Sequence, residues 1–377
     1  MFQSTYIGLD VHAQTVVACA LNPATGEIER AKMAMEPDVV LSWIQRFPSD
    51  AKAVYEAGPT GYALARHLLV HGVDCVIAAP SKLLRAPGDH IKTDQRDSLG
   101  LARMLSLGEV TEVRIPTEEQ EALRDLSRTR LQAQKSLTLA KQRLNALLLR
   151  HGLRYPEPTR WNRPHLQWLH RQHFEQAGTE YSYQSDLELV ELLDAHLKRL
   201  DARIAEVAAT CEYADVINAL MCLRGVALTT AFGLAVEVGD WTRFTGATIG
   251  SYLGLVPSEH SSGQKRSQGS ITKAGNTYAR RLLVEAAWHQ KPEFKRPGVT
   301  LQRRLDLVDS QTRVTALKAN HRSSDRWEGF EQRGKLRVKA NTAVAREMAG
   351  WCWALAAPLQ EARKQVPAFS SGNVRAA

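Results

Sequence analysis

Thr5-Tyr-Ile-Gly-Leu-Asp-Val-His12 is the stretch whose reading decides the fold. Tyr6, Ile7, Leu9 and Val11 are aromatic, β-branched or aliphatic and read as a buried strand, interrupted by one acid, Asp10. A carboxylate inside an apolar strand is costly unless a cation or hydrogen bonds satisfy it. Taken alone, such an acid is more often a capped or salt-bridged structural group than a metal ligand.

Two further acidic positions change that balance. Ala53-Val54-Tyr55 is a second strand-like run that ends in Glu56 and breaks at once into Ala57-Gly58-Pro59-Thr60-Gly61. Lys92-Thr93-Asp94-Gln95-Arg96-Asp97 opens a helical stretch through Leu101, Ala102 and Leu105. Asp94 and Asp97 are three residues apart, so a helix turns both carboxylates the same way. Four acids on two strand ends and one helix face suit a pair of hard divalent cations, magnesium or manganese. Such a pair clamps the attacking and leaving oxygens of a phosphodiester.

The order strand Asp, strand Glu, then Asp-x-x-Asp on a helix resembles the RNase H-like fold of RuvC-type resolvases. It is more closely similar to the DEDD transposases of the insertion sequence 110 family (110/1111 group). The residues carrying the resemblance are Tyr-Ile-Gly-Leu-Asp at 6–10, Glu-Ala-Gly-Pro-Thr-Gly at 56–61 and Lys-Thr-Asp-x-x-Asp at 92–97. Each piece is a weak motif by itself; in order, together, they are specific. The resemblance implies that Asp10, Glu56, Asp94 and Asp97 form the catalytic, metal-binding set.

The chain has 377 residues, room for two or three domains that each bury a core. Its formal net charge is +9. Between 291 and 350 there are 14 Lys and Arg against 7 Asp and Glu, so most of the excess sits in one C-terminal segment. That is the footprint of a polyanion partner, most commonly nucleic acid, although a solvated, salt-bridged helical face gives the same count. The five cysteines are scattered without a Cys-x-x-Cys pair, which argues against a zinc site or a disulfide framework and fits a reducing cytoplasm. No cationic head precedes the first apolar run, and Trp351 to Leu359 is too short to span a bilayer, so the expected place is the bacterial cytosol or nucleoid, with no membrane partner.

Along the chain, strands are expected near 5–11, 14–21, 27–34, 52–56 and 74–79, with helices near 37–46, 61–71 and 95–107. Three strands in succession, then alternating helix and strand, predict a mixed α/β sheet with Asp10 and Glu56 on neighbouring strands. From Glu118 to His151, Leu123, Leu126, Ala133, Leu137, Ala140, Leu144 and Leu147 keep a three-four spacing that Arg130 interrupts. Val190, Leu193, Leu197, Leu200, Ile204 and Val207 repeat it in a second helix. This predicts a coiled-coil hairpin with a Pro- and Trp-containing tip near 152–185, or a seam that pairs with a second subunit. The predicted organisation is a RuvC-like DEDD domain at 1–113, a coiled-coil hairpin at 114–212, a mostly α-helical, serine-bearing transposase domain at 213–360 and a tail at 361–377. Leu223 to Ala231 reads like a helix-hairpin-helix turn able to meet a phosphate, or a plain turn between helices.

A second resemblance lies in 254–281: Gly-Leu-Val-Pro, then Ser262-Gly263, Lys273-x-Gly275 and Arg280-Arg281-Leu282 are similar to the C-terminal transposase domain of the same family. The family's nucleophilic serine precedes the glycine and maps onto Ser262, with Ser261 an ambiguity and Ser258 a weaker one. A serine hydroxyl needs activation by a base or a metal, and both halves of the chain would have to meet, within one subunit or across two. Lys265, Arg266, Lys273, Arg280 and Arg281 are the candidate phosphate contacts. Tyr278 has no Arg-His-Arg setting and reads as a packing residue. The resemblance implies a magnesium-dependent DNA transposase or recombinase that works as a homo-oligomer, dimer or tetramer, guided by a non-coding bridge RNA. The alternatives are a RuvC-like, metal-dependent junction nuclease that needs only the four acids, a DNA invertase of similar build, and a non-catalytic nucleic-acid-binding derivative.

Overall fold

Alternation of branched and aromatic residues builds a five-stranded sheet from the N-terminal part of the chain. The computed structural model describes residues 5–82, 94–259 and 267–365 and divides the chain into two units, Met1–Thr117 and Glu118–Ala377. The first unit contains β1 (Tyr6–Val11), β2 (Thr15–Leu21), β3 (Ile28–Ala34), α1 (Pro37–Ile44), β4 (Lys52–Glu56), α2 (Ala63–Val70), β5 (Asp74–Ala78) and α3 (Asp94–Ser106). The sheet order is β3-β2-β1-β4-β5. β1, β2 and β3 pair antiparallel, whereas β1, β4 and β5 run parallel.

Residues in register share a face of the sheet. One face carries Ile7, Leu9, Ala18, Ala53, Tyr55 and Ile77, which form a buried core with Val40, Ile44, Leu64 and Leu68 of α1 and α2. The opposite face carries Gly8, Val54 and Ala78 and is covered by α3 through Leu101. A Cβ at Gly8 would lie 1.9 Å from the Ser98 carbonyl oxygen and 2.7 Å from the Ala102 nitrogen. Only a residue without a side chain lets α3 lie this close to β1.

The second unit begins with α4 (Glu118–Arg150), which packs against α6 (Ala177–Ala208). The two helices run antiparallel: Arg130 meets Asp201 at 2.8 Å, and Lys141 meets Asp194 at 4.0 Å. Arg130, the break in the apolar spacing of α4, is thus an interhelical ion pair. Leu137, Leu144 and Leu147 are buried against Leu187, Val190 and Leu197. The connection between them contains a short helix, α5 (Arg163–Leu169), that the proline content does not announce.

α7 (Ala214–Leu220), α8 (Leu228–Val238), α9 (Ile249–Tyr252), α10 (Thr277–Ala287), α11 (Val299–Leu305), α12 (Ser310–Gln332) and α13 (Arg337–Gln365) complete the unit. They share one core, with Ala340, Val344, Met348, Cys352 and Leu355 of α13 fully or almost fully buried. α13 continues past the expected start of the tail, and Lys364 pairs with Asp240 at 3.3 Å. The turn between α7 and α8 also differs from a phosphate-binding hairpin. Gly225 has φ +82°, and its missing Cβ would lie 2.6 Å from the Ala286 carbonyl, while Arg224 donates to the Gln290 and Pro292 carbonyls. The turn is engaged in packing.

One buried acid ties three of these helices together. Glu237 of α8 has a fully buried side chain; Arg128 of α4 donates to both of its oxygens at 2.8 and 2.9 Å. The Asn276 side-chain amide donates to it at 2.6 Å and its carbonyl accepts from the Ala279 N–H, capping α10.

Gly8→Ala is expected to cost roughly 3 kcal/mol, the upper end for overpacking, because the obstructing atoms are helix backbone and cannot rotate away. A chemical-denaturation midpoint of the full-length protein measures it; an unchanged midpoint would show that α3 does not need the contact.

Candidate active site

β1 delivers Asp10 to the face that α3 covers, because Asp10 lies two residues after Gly8 and strand side chains alternate. The same close approach brings the first turn of α3 over the strand end. His12, just beyond the strand, has its Nε2 at 3.3 Å from Asp10 Oδ2 and 3.7 Å from Asp94 Oδ2. One donor atom from each of Asp10, His12 and Asp94 lies within 4.8 Å of the others. Asp94 is exposed, Asp97 and Asp10 are half-buried, and both helix acids are near enough to act on the Asp10 charge. Burial above all, and then these two carboxylates, push the Asp10 carboxyl above its ordinary range, against the opposing pull of His12.

Glu56 ends β4. The parallel register pairs Leu9 with Tyr55, so the next residue on each strand sets Glu56 beside Asp10 on the same face. Glu56 is exposed. The loop that follows is held by Tyr55, whose hydroxyl donates to the Gly61 carbonyl at 3.0 Å. The arrangement thus draws Asp10, Asp94 and His12 together and leaves Glu56 and Asp97 at its edge. His12 is the residue that the acid-based reading misses; it lies beyond the end of β1, so no strand period marks it, and its distances to Asp10 and Asp94 bring it into the site.

This donor set fits a divalent cation. Carboxylate oxygens suit hard cations, an imidazole adds a nitrogen ligand, and the crowded negative charge around a half-buried acid is what a cation relieves. Asp10, Asp94 and His12 are the converging donors; Glu56 lies on the same sheet face as Asp10, and Asp97 is near enough to act on the Asp10 charge.

The serine segment belongs to the second unit. Ser261, Ser262, Lys265 and Arg266 lie outside the described residues, but both ends of their segment are described. β6 (Pro257–Glu259) and β7 (Gln268–Ile271) pair antiparallel, so part of the stretch expected from sequence to be loop is strand. The base of this pair is fastened tightly. Gly254 and Gly275 have φ +65° and +66°; a Cβ would fall 2.3 Å from the Ala274 oxygen at the first and 1.8 Å from the Tyr252 oxygen at the second. Ser258 is half-buried, with its Oγ against Gly269.

The candidate phosphate contacts separate into two groups. Arg280 is buried, and its guanidinium donates to the Leu253 and Ala274 carbonyls at 3.0 and 2.7 Å and to Thr277 Oγ1. Its cation holds the hairpin base, which corrects the expectation that it contacts phosphate. Lys273 is exposed with φ +56°, and Arg281 is exposed while paired with Glu285 at 2.6 Å. Tyr278 is half-buried, 3.5 Å from Ser127 Oγ, and burial raises its phenol above the ordinary range.

A raised carboxyl pKa means that the folded state holds the proton more tightly, so this contribution favours folding below the folded-state pKa and is lost as pH rises through it. At neutral pH in chelator, Asp10→Asn is therefore expected to raise the thermal midpoint by a few degrees, about what 1 kcal/mol gives. Millimolar magnesium should raise the wild-type midpoint and leave that of Asp10→Asn nearly unmoved. Scanning calorimetry with and without magnesium reads both; a variant less stable than wild type in chelator contradicts the charge-crowding account.

Residues 7–152 match a transposase family model of the DEDD type, and residues 217–299 match the model described as "Transposase IS116/IS110/IS902 family". The chain is 38% identical over 370 residues to "Putative transposase y4qE" of Sinorhizobium fredii, covering 96% of this chain and 90% of that protein. It is 31% identical over 299 residues to the transposase for insertion sequence element IS1533 of Leptospira borgpetersenii, covering 77% and 86%. A transposase for IS1111A of Coxiella burnetii is 26% identical over 201 residues, about half of each chain. The DEDD match carries an RNase H-like fold and divalent-metal dependence, in agreement with the mixed sheet and the clustered acids, and no helix among the described residues is long and apolar enough to cross a membrane. Sheet, acids and sequence relatives agree: the chain belongs to the IS116/IS110/IS902 family of transposases, enzymes of DNA recombination.

Proposed function

We propose that this transposase cuts and rejoins DNA through a covalent phosphoserine link made by Ser262, or by its neighbour Ser261. Asp10, Glu56, Asp94 and Asp97 are the catalytic acids, with His12 beside them, and magnesium or manganese is the metal they hold. The observation that carries this reading is the convergence of Asp10, His12 and Asp94 at the end of β1, in a chain of the transposase family. The four acids alone would equally serve hydrolysis by water. What favours serine is the sequence Ser261-Ser262-Gly263 with Lys265 and Arg266, which lies between two strands, β6 and β7, that are paired and braced at their base.

The chemistry balances without an external energy source. Serine Oγ forms a bond to phosphorus as the scissile bond to a sugar oxygen breaks, and the serine proton ends on that leaving hydroxyl. Attack by the hydroxyl of another strand on the phosphoserine reverses the exchange and releases the enzyme, so each phosphodiester is conserved. A bound divalent cation would polarise the phosphate and favour the ionised nucleophile. Lys265, Arg266, Lys273 and, after release from Glu285, Arg281 are the cations proposed to offset the charge that builds on the phosphorus.

DNA is one partner; a bridge RNA is the second we propose. A net charge of +9 supports polyanion binding, as do Arg296, Arg303, Lys318 and Lys339, which form no ion pair among the described residues. Part of the C-terminal charge is instead internal, since Arg322 and Arg326 both pair with Glu347 at 3.0 Å. A homo-oligomer is supported by Leu139, Leu189 and Leu192, which are exposed on the α4–α6 pair that we propose as a coiled coil.

The test uses full-length protein with its co-purifying RNA, magnesium and end-labelled DNA carrying the element junction. Wild type should retain label after denaturation, Ser262→Ala should retain none, and Asp10→Ala should lose cutting altogether while still binding DNA. Cut DNA with no label on any protein moves the answer to a metal-dependent junction nuclease. Undiminished exchange after nuclease removal of the RNA removes the guide from the reading and leaves a protein-directed recombinase or invertase.

A further inference from the structure

The segment between α4 and α6 folds back on the C-terminal end of α4 and forms with it a half-open pocket of about 400 Å³. Tyr155, His165 and Trp168 form its aromatic wall, with Asn145, Arg154 and Arg160 also lining it. The rings are mutually braced: Tyr155 lies 4.6 Å from His165 and 5.5 Å from Trp168, and His165 is nearly parallel to Trp168 at 5.9 Å. A walled space built from large rings is what a flat ligand requires.

Its polar groups narrow the ligand. His165 is 1% exposed, and its Nδ1 accepts the Trp161 N–H at 3.1 Å, so the ring proton resides on Nε2. Burial and the nearby cations Arg160 and Lys141 lower its pKa and keep it neutral. No hydrogen bond from that Nε2–H is formed among the described residues, and the atom is not wholly shut off from solvent, so the donor is available to water or a ligand in the pocket that His165 lines. Trp161 is held at φ +65°, in the left-handed region, with Lys141 Nζ 4.6 Å over its ring. Strain of this kind persists where surrounding structure over-determines it, as at ligand clamps. Arg154 and Arg160 are exposed and form no ion pair among the described residues.

Ring faces, one fixed N–H donor, an amide that both donates and accepts, and two unpaired guanidiniums together match a nucleobase with its phosphate. A base stacked in a duplex offers neither free face to such a pocket. We infer that this pocket takes one unpaired nucleotide of a single-stranded nucleic acid, its base against Tyr155, His165 and Trp168 and its phosphate on Arg154 and Arg160. The inference rests on the chain handling nucleic acid, and not on the serine chemistry proposed above.

Full-length protein is irradiated with an oligouridylate carrying one 4-thiouridine or an oligothymidylate carrying one 4-thiothymidine, and the adducts are mapped by peptide mass. At least one strand should crosslink within 153–168; the strand that does so identifies RNA or DNA as the source. Arg154→Ala with Arg160→Ala alters only exposed side chains and should lower that adduct about tenfold, the scale of one base–phosphate contact, without changing adducts elsewhere. Circular dichroism verifies that the variant is folded. A duplex of equal length should compete poorly. Adducts confined to other peptides, an unchanged yield in the double variant, or equal competition by duplex overturns the pocket alone. Absence of binding and of any adduct overturns it together with the nucleic-acid reading.

Discussion

The contact between Gly8 and the backbone of α3 is the constraint on which the N-terminal unit depends. Sheet alternation can place Asp10 on a face, but it cannot bring helix acids to it. That requires α3 to descend onto β1, and a Cβ at Gly8 would occupy the space of the Ser98 carbonyl. Because the approach is set two residues before Asp10, the helix arrives with its first turn over the strand end. Asp94 then stands near His12 and Asp10, while Leu101 anchors the helix on Val54 and Ala78. The cost is visible in the same place: the Asp10 carboxyl is disfavoured in its charged form by burial and by the acids gathered around it. A site that concentrates negative charge before a cation arrives trades stability for function.

In the second unit the comparable constraint is the buried Glu237. An isolated carboxylate there would be prohibitive, so Arg128 and Asn276 saturate it, and in doing so they link α4, α8 and the start of α10. Gln120 and Arg124 of α4 add bonds to the Val236 and Glu237 carbonyls at the C-terminal end of α8, where cations are favoured by the helix dipole. The residues that follow α9 are fixed to the same frame by Arg280. A guanidinium in a basic run need not face a ligand; here the carbonyls of Leu253 and Ala274 consume it, while Lys273 is exposed.

Much of the fold could be read directly. The five strands and the first three helices follow from period-two and helical spacing, and the α4–α6 pair follows from leucines at three-four intervals, because burial on one face imposes those periods whatever the partner. Asp10 stood out for a different reason: a carboxylate in an apolar strand is an exception that needs a cause. His12 was less legible, since an exposed histidine after a strand carries no periodic signal and gains meaning only from the distance to Asp94. The β6–β7 hairpin escaped because its strands are short, glycine- and serine-rich and hardly buried, so neither propensity nor pattern marks them.

What the sequence by itself determined is therefore the inventory: an Asp-Glu-Asp-Asp order on strand and helix, two long amphipathic helices, an excess of positive charge toward the C-terminus. These are local properties, written in residue type and spacing. What only the tertiary structure decided is which groups are free. Arg280 is spent and Lys273 is exposed; Arg130, an apparent flaw in a helix, is half of an ion pair; Tyr155, His165 and Trp168, between α4 and α6, line a pocket. Such outcomes depend on which groups the fold brings together, as Asp201 to Arg130 or Leu253 to Arg280, or on how rings brace one another, and no local spacing records either.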